Sequence, residues 1–168
     1  MEKVKLSLTT AEENKLPSNI EAEQSLIGSV LVNNDIIDEI SNIANSGKFF
    51  DPIHRKIYEV IENLNNKGMI ANPITLKNYF ENDSGLSEVG GVDYLVKLTR
   101  FSSSIKQAID YAKIIHEMYV KRELIFISDG ISDQAKDDQT EKTGEKIIVS
   151  AEKSLFDLAE RGNFSQTF

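Results

Sequence analysis

The chain has no cysteine and no tryptophan, and only three prolines among its 168 residues. Without cysteine there is no disulfide framework and no thiolate metal site. Positive charge is also short: 19 Lys and Arg face 27 Asp and Glu, a formal net charge of −8. A module that grips duplex usually shows a basic footprint, so weak or no direct nucleic-acid binding is expected. No apolar run approaches the roughly 20 residues of a membrane span. The first residues, MEKVKLSLTTAEENK, lack the apolar core of a secretory signal. The expectation is a cytoplasmic protein without membrane contact. At 40% hydrophobic and 27% charged, the composition lies in the globular range.

Phosphate-binding glycines are missing as well. A Walker loop needs glycine, four residues, then Gly-Lys-Ser/Thr. Gly85 and Gly90 have the right separation, but Gly91 stands where lysine is required, and Gly47-Lys48 is followed by Phe49. Gly90-Gly91 therefore reads as a turn into a helix. Only two histidines occur, His54 and His116, and neither has another four residues on. A metal site usually wants three or four convergent ligands, so both read as structural. His116 and Glu123 share one helical stripe, where they could fix a register between helices. The carboxylates read as solvated helix faces, with Glu21 and Glu23 suiting the positive end of a helix. No catalytic, cofactor or metal site is expected in this chain.

What the chain does contain is one long helix-forming stretch, 105–134, with no proline and a single glycine near its end. It would be about 45 Å long. One apolar stripe holds Ile105, Ile109, Ala112, Tyr119, Val120, Phe126 and Ile127, and a second lies nearly opposite: Tyr111, Ile114, Met118 and Ile125. Either the helix is buried at the centre of one globule, or one stripe packs inside a hairpin and the other meets a further partner. The second arrangement is the one expected here.

The rest of the chain reads as short, capped helices. Residues 1–16 are polar and aperiodic, a flexible tail. Ser18 and Glu21 fit a capping box before a helix through Val32. Asn34 or Asp35 caps a second helix with Ile36, Ile37, Ile40 and Ile43 inward, and Phe49-Phe50 offers an apolar plug. Asp51-Pro52 starts a third helix with Ile53, Ile57, Val60, Ile61 and Leu64 on one face, closed by Gly68. Asn72-Pro73 starts a fourth, carrying Leu76 and Phe80. Residues 82–85 form a turn cluster, and a fifth helix carries Tyr94, Leu95 and Leu98. Ser104 is placed to cap the long helix. After the charged loop KDDQTEK, a last helix carries Ile148, Ala151, Leu155 and Leu158. No strand is expected. The fold class is all-α: a compact helical head, 17–101, followed by a long antiparallel helical hairpin, 102–161. Hairpin packing is assigned to Ile109, Ala112, Tyr119 and Phe126 against Ile148, Ala151, Leu155 and Leu158. The subunit contact is assigned to Tyr111, Met118 and Ile125.

Five stretches, in order, resemble the N-terminal domain of bacterial replicative DNA helicases of the DnaB type. They are LPSNIEAEQSLIG from Leu16, FF with HRKIY from Phe49 to Tyr58, GGVDYL from Gly90, YAKII with RELI from Tyr111 to Ile125, and AE with FDLAE from Ala151 to Glu160. The resemblance implies a helical head with a long hairpin. It implies a parent that is a hexameric, ATP-dependent helicase unwinding DNA at the replication fork, with ATP and magnesium held in a C-terminal ATPase domain. Residues 162–168 would begin the linker to that domain, which these 168 residues do not include. The implied partners are further copies of the chain (a dimer, a trimer of dimers or a hexameric ring), primase and a helicase loader. A freestanding adaptor that joins such rings without a motor is the alternative.

Overall fold

The computed structural model describes residues 16–138 and 141–162. The expected tail up to residue 15 and the expected linker from 163 onward lie outside the described residues. Eight α-helices and one 3-10 turn make up the described chain: α1 (Ile20–Val32), α2 (Ile36–Ile40), the 3-10 turn (Ser46–Lys48), α3 (Pro52–Asn66), α4 (Pro73–Lys77), α5 (Ser84–Glu88), α6 (Val92–Thr99), α7 (Ile105–Lys136) and α8 (Gly144–Gly162). No strand occurs among the described residues.

α1 is the axis of the head. Ala22, Leu26, Ile27, Gly28, Ser29, Val30 and Leu31 are all buried, so the helix is covered nearly all round. α7, α6, α2 and α3 pack against it. Its start differs from the expected box. Asn19, not Ser18, is the cap, its side-chain oxygen accepting the Ala22 N–H at 2.9 Å. Glu21 is exposed. Its neighbour Glu23, expected on a solvated face, is buried.

Punctuation fixes the other head helices. Asp51 caps α3 through the Ile53 N–H, with proline following it, and Asn72 closes a capping box with Thr75 at α4. The expected turn at 82–85 is instead the start of α5. Asp83 accepts the Leu86 N–H, and that is enough to wind one short helix whose Leu86 is buried. Gly90 and Gly91 both have positive φ, 112° and 67°, a backbone shape that side chains resist, and they turn the chain into α6. The core gathers Leu26, Ile27, Ile36, Ile40, Phe49, Ile57, Tyr58, Ile61, Leu76 and Leu95 with Ala108, Ala112 and Ile115 of α7.

α7 has 32 residues and is roughly 48 Å long. Ser104 caps it through the Gln107 N–H. Ser29 and Ser103 tie its entry to α1, the Ser103 N–H reaching the Ser29 hydroxyl at 2.9 Å. Its N-terminal half lies on α1 and α2 and its later half on α8. Thr143 caps α8 through the Lys146 N–H.

Candidate functional site

The head and the hairpin meet at a set of buried polar groups supplied by distant parts of the chain. Arg122 of α7 is buried. Its guanidinium donates to the Pro17 and Lys48 carbonyls, both at 2.7 Å, and lies over the Phe50 ring, 5.3 Å from its centre. Lys48 is buried too and donates to the Ile43 carbonyl at 2.9 Å and to His116 Nδ1 at 3.1 Å. That contact leaves the His116 proton on Nε2. Burial first, and then the Lys48 charge, hold His116 below the usual histidine range. His116 therefore reaches across from α7 to the head. Beside this junction Arg161 of α8 donates to the Tyr119 hydroxyl at 3.0 Å.

A second network lies inside the head. Glu23 accepts the Phe50 N–H at 2.8 Å, the Asp51 N–H at 3.2 Å and His54 Nδ1 at 2.9 Å. His54 Nε2 meets the Tyr94 hydroxyl at 2.6 Å, and Gln24 also reaches that hydroxyl. The carboxylate is thus satisfied by three donors, which is what makes its burial tolerable. A Glu-His-Tyr chain could in principle move a proton, but here it is closed over and ties α1, α3 and α6 together. No group of three or more His, Cys, Asp or Glu able to hold a metal ion occurs among the described residues.

The hairpin seam runs along Ile147, Ala151, Ser154 and Leu158 of α8, at spacings of four, three and four. Ile147 is 9% exposed and Leu158 4%. This corrects two of the expected packing residues. Ile148 and Leu155 are 58% and 44% exposed and form an outer stripe with Val149 (65%) and Phe156 (64%). The seam needs only one narrow arc of a 19-residue helix, and Ala151 and Ser154 let the two helices approach without larger side chains. Phe126, Ile127, Gly130 and Ile131 of α7 face that seam across a groove of about 210 Å³.

Ile109 and Ala112, also expected in the seam, lie on the head instead, Ala112 buried in its core and Ile109 packed against it. Arg161 near the end of α8 reaches only as far back as Tyr119, about two turns short of Ala112. Of the residues expected at a subunit contact, Tyr111 packs partly on the head core, Met118 is half-buried and Ile125 is open to solvent. Of the buried line of α7, Ala112 was expected to pack inward, whereas Ala108, Ile115 and Arg122 were missed. The line's signal was spacing: positions 108, 112, 115, 119 and 122 keep one face, where two alanines and an arginine stand beside Ile115 and Tyr119.

These features define a class: an all-α module of a helical head and a long hairpin. Its buried polar groups lock its own helices, and its hairpin keeps an apolar stripe open. The family described as "DnaB-like helicase N terminal domain" matches residues 15–117, and the chain belongs to it. The replicative DNA helicase DnaB of Rickettsia bellii is 41% identical over 153 residues, covering 91% of this chain and 31% of that protein. The corresponding protein of Buchnera aphidicola subsp. Baizongia pistaciae is 32% identical over 152 residues, covering 90% of this chain and 32% of its own. The chain therefore spans about a third of the curated relatives it matches. Among solved structures, the N-terminal domain of DnaB helicase from Mycobacterium tuberculosis superposes with a TM-score of 0.76 at 24% identity, covering 85% of this chain and 99% of that one. A DnaB-like replicative helicase, described together with its interactions with primase, superposes at 0.65 and 24% identity over 83% of this chain and 31% of its own. Both share the fold.

Proposed function

We propose that this chain serves a replicative DNA helicase as its N-terminal domain, joining subunits through the hairpin and docking primase. The parent would unwind duplex DNA in the bacterial cytoplasm, with ATP and magnesium held by residues other than these. Family membership supports the helicase role, and the relatives named above are whole helicases. The observation that carries the assembly role is the outer stripe of α8: Ile148, Val149, Leu155 and Phe156 all stand open. A row of large apolar side chains of this kind normally marks an interface. Burying each contributes roughly 1.5–3 kcal/mol. Several together can exceed the entropic cost of association. Ile125, on the side of α7 away from the seam, is the second proposed contact, with Met118 and Tyr111 toward the head.

Light scattering with circular dichroism tests this. The wild-type chain is expected to be larger than a monomer at tens of micromolar. Phe156→Glu should split it with helicity unchanged, since glutamate is a good helix former. Ala151→Glu, inside the seam, should instead lower the stability of the fold. A monomeric wild type, or a Phe156→Glu chain that stays assembled, would overturn the assembly role.

A further inference from the structure

Between the 3-10 turn and the base of the hairpin lies an open cleft of about 320 Å³. It is lined by Ser41, Asn42, Asn45, Gly47, Lys48, Tyr119 and Arg161. The chain as a whole is acidic, yet among the described residues this lining holds two cations and no carboxylate. Among the described residues neither Lys48 nor Arg161 has a carboxylate within ion-pair distance. The Lys48 ammonium has three N–H groups. Two are directed at the Ile43 carbonyl and His116, which leaves one. Arg161 has five N–H donors. Its contacts are the Asp157 carbonyl and the Tyr119 hydroxyl, so donors remain here as well.

Lys48 is buried and Arg161 exposed, and holding two like charges at one cleft is unfavourable where no described carboxylate pairs with either. The Lys48 amine is pushed below the usual lysine range, first by burial and then by the Arg161 charge. The lining also holds neutral donors. Asn45 spends its oxygen on the Gly47 N–H, which leaves its NH₂ to donate, and the Ser41 hydroxyl and Asn42 amide stand beside it. Two cations with several neutral donors suit an oxyanion with acceptor oxygens on all sides, as a phosphate has. The volume is at the low end of ligand pockets, enough for a phosphoryl group with its substituent pointing outward.

We propose that this cleft is an oxyanion site that takes a phosphate group, either free phosphate or a phosphomonoester. It is built within one chain, so it stands or falls separately from the assembly role.

The test is a titration of the ¹⁵N-labelled 168-residue chain with inorganic phosphate and, in a second arm, with glycerol phosphate as a simple monoester. Sodium chloride at matched ionic strength is the control. Saturable amide shifts are expected at Gly47, Lys48 and Tyr119. Monoester binding at least as tight as phosphate would assign the site to esters; binding of phosphate alone would assign it to the free anion. Arg161→Gln should weaken binding about tenfold, the value of one charge-assisted contact, with the rest of the spectrum unchanged. Shifts that chloride reproduces, no saturable shift, or unchanged affinity in Arg161→Gln would each overturn the proposal.

Discussion

The side chains that lock the head and hold it to its hairpin are the ones least expected to be inside. Glu23, Lys48 and Arg122 are charged residues in a chain with many of them, and nothing local distinguishes them from a solvated face. Their burial depends on partners 27 to 105 residues away: Phe50 for Glu23, His116 for Lys48, Pro17 for Arg122. His116 gives this junction a pH dependence. Its folded-state pKa lies below the value of about 6.5 for a free histidine. The unfolded chain therefore binds the proton first, and the contribution of His116 to stability is present above that value. It is lost as pH falls from about 6.5 through the lower, folded value. Lys48 lowers the folded value and Glu117 opposes it, with burial the largest cause. His116→Asn keeps a side-chain acceptor for Lys48 but cannot titrate. Thermal unfolding followed from pH 7 down to pH 5 should show a shallower loss of midpoint for His116→Asn than for wild type; parallel curves would remove His116 as the cause.

Among the helices, punctuation was the most legible feature. Asp51-Pro52, Asn72-Pro73, Ser104 and Gly90-Gly91 each begin or turn a helix as the local chemistry requires, because a cap acts on N–H groups two or three residues away. The failures were local ambiguities: Ser18 and Asn19 are both good caps, and Asp83 serves a turn or a helix start equally well. Close approach between helices was not legible. A Cβ placed on Gly28 of α1 would overlap the backbone carbonyl oxygen of Leu98, so α1 and α6 touch through that glycine. Gly130 of α7 has nothing within 4 Å of the same position. Two helical glycines should therefore respond with opposite signs in urea unfolding. Gly28→Ala is expected to cost about 2–3 kcal/mol from overpacking. Gly130→Ala is expected to gain about 0.5–1 kcal/mol from helix propensity and a less flexible unfolded chain. Equal effects at the two sites would refute the contact.

At the scale of the whole molecule, the proposed roles depend on more than one copy. A partner that touches several subunits at once converts its later contacts into intramolecular ones, and its apparent affinity rises without any new contact. If the hairpin assembles the chain and primase docks on the result, then primase should be retained more strongly by the wild type than by Phe156→Glu. The measurement is a pull-down of the cognate primase at equal chain concentration, and a gap of about tenfold or more is expected. Equal retention would separate docking from assembly and place the docking surface within a single subunit.

Period and punctuation are properties of neighbouring residues. For that reason the all-α class, the long helix from Ile105 and most of the caps were readable from the sequence alone. Which face of a helix meets which partner was not readable in the same way. α7 carries apolar residues on both sides, and the arc that enters the core is lined by Ala108, Ala112, Ile115 and Arg122 because the head covers it there. α8 carries two apolar stripes as well. Only the register of the hairpin assigns Ile147, Ala151 and Leu158 to the seam and leaves Ile148, Leu155 and Phe156 outside. The hydrophobic effect has no direction of its own, so an element with two apolar faces can be oriented only by what packs on it. The cationic cleft follows the same logic. Lys48 and Arg161 are 113 positions apart in the chain, and only the return of α8 toward the head brings them to one cleft.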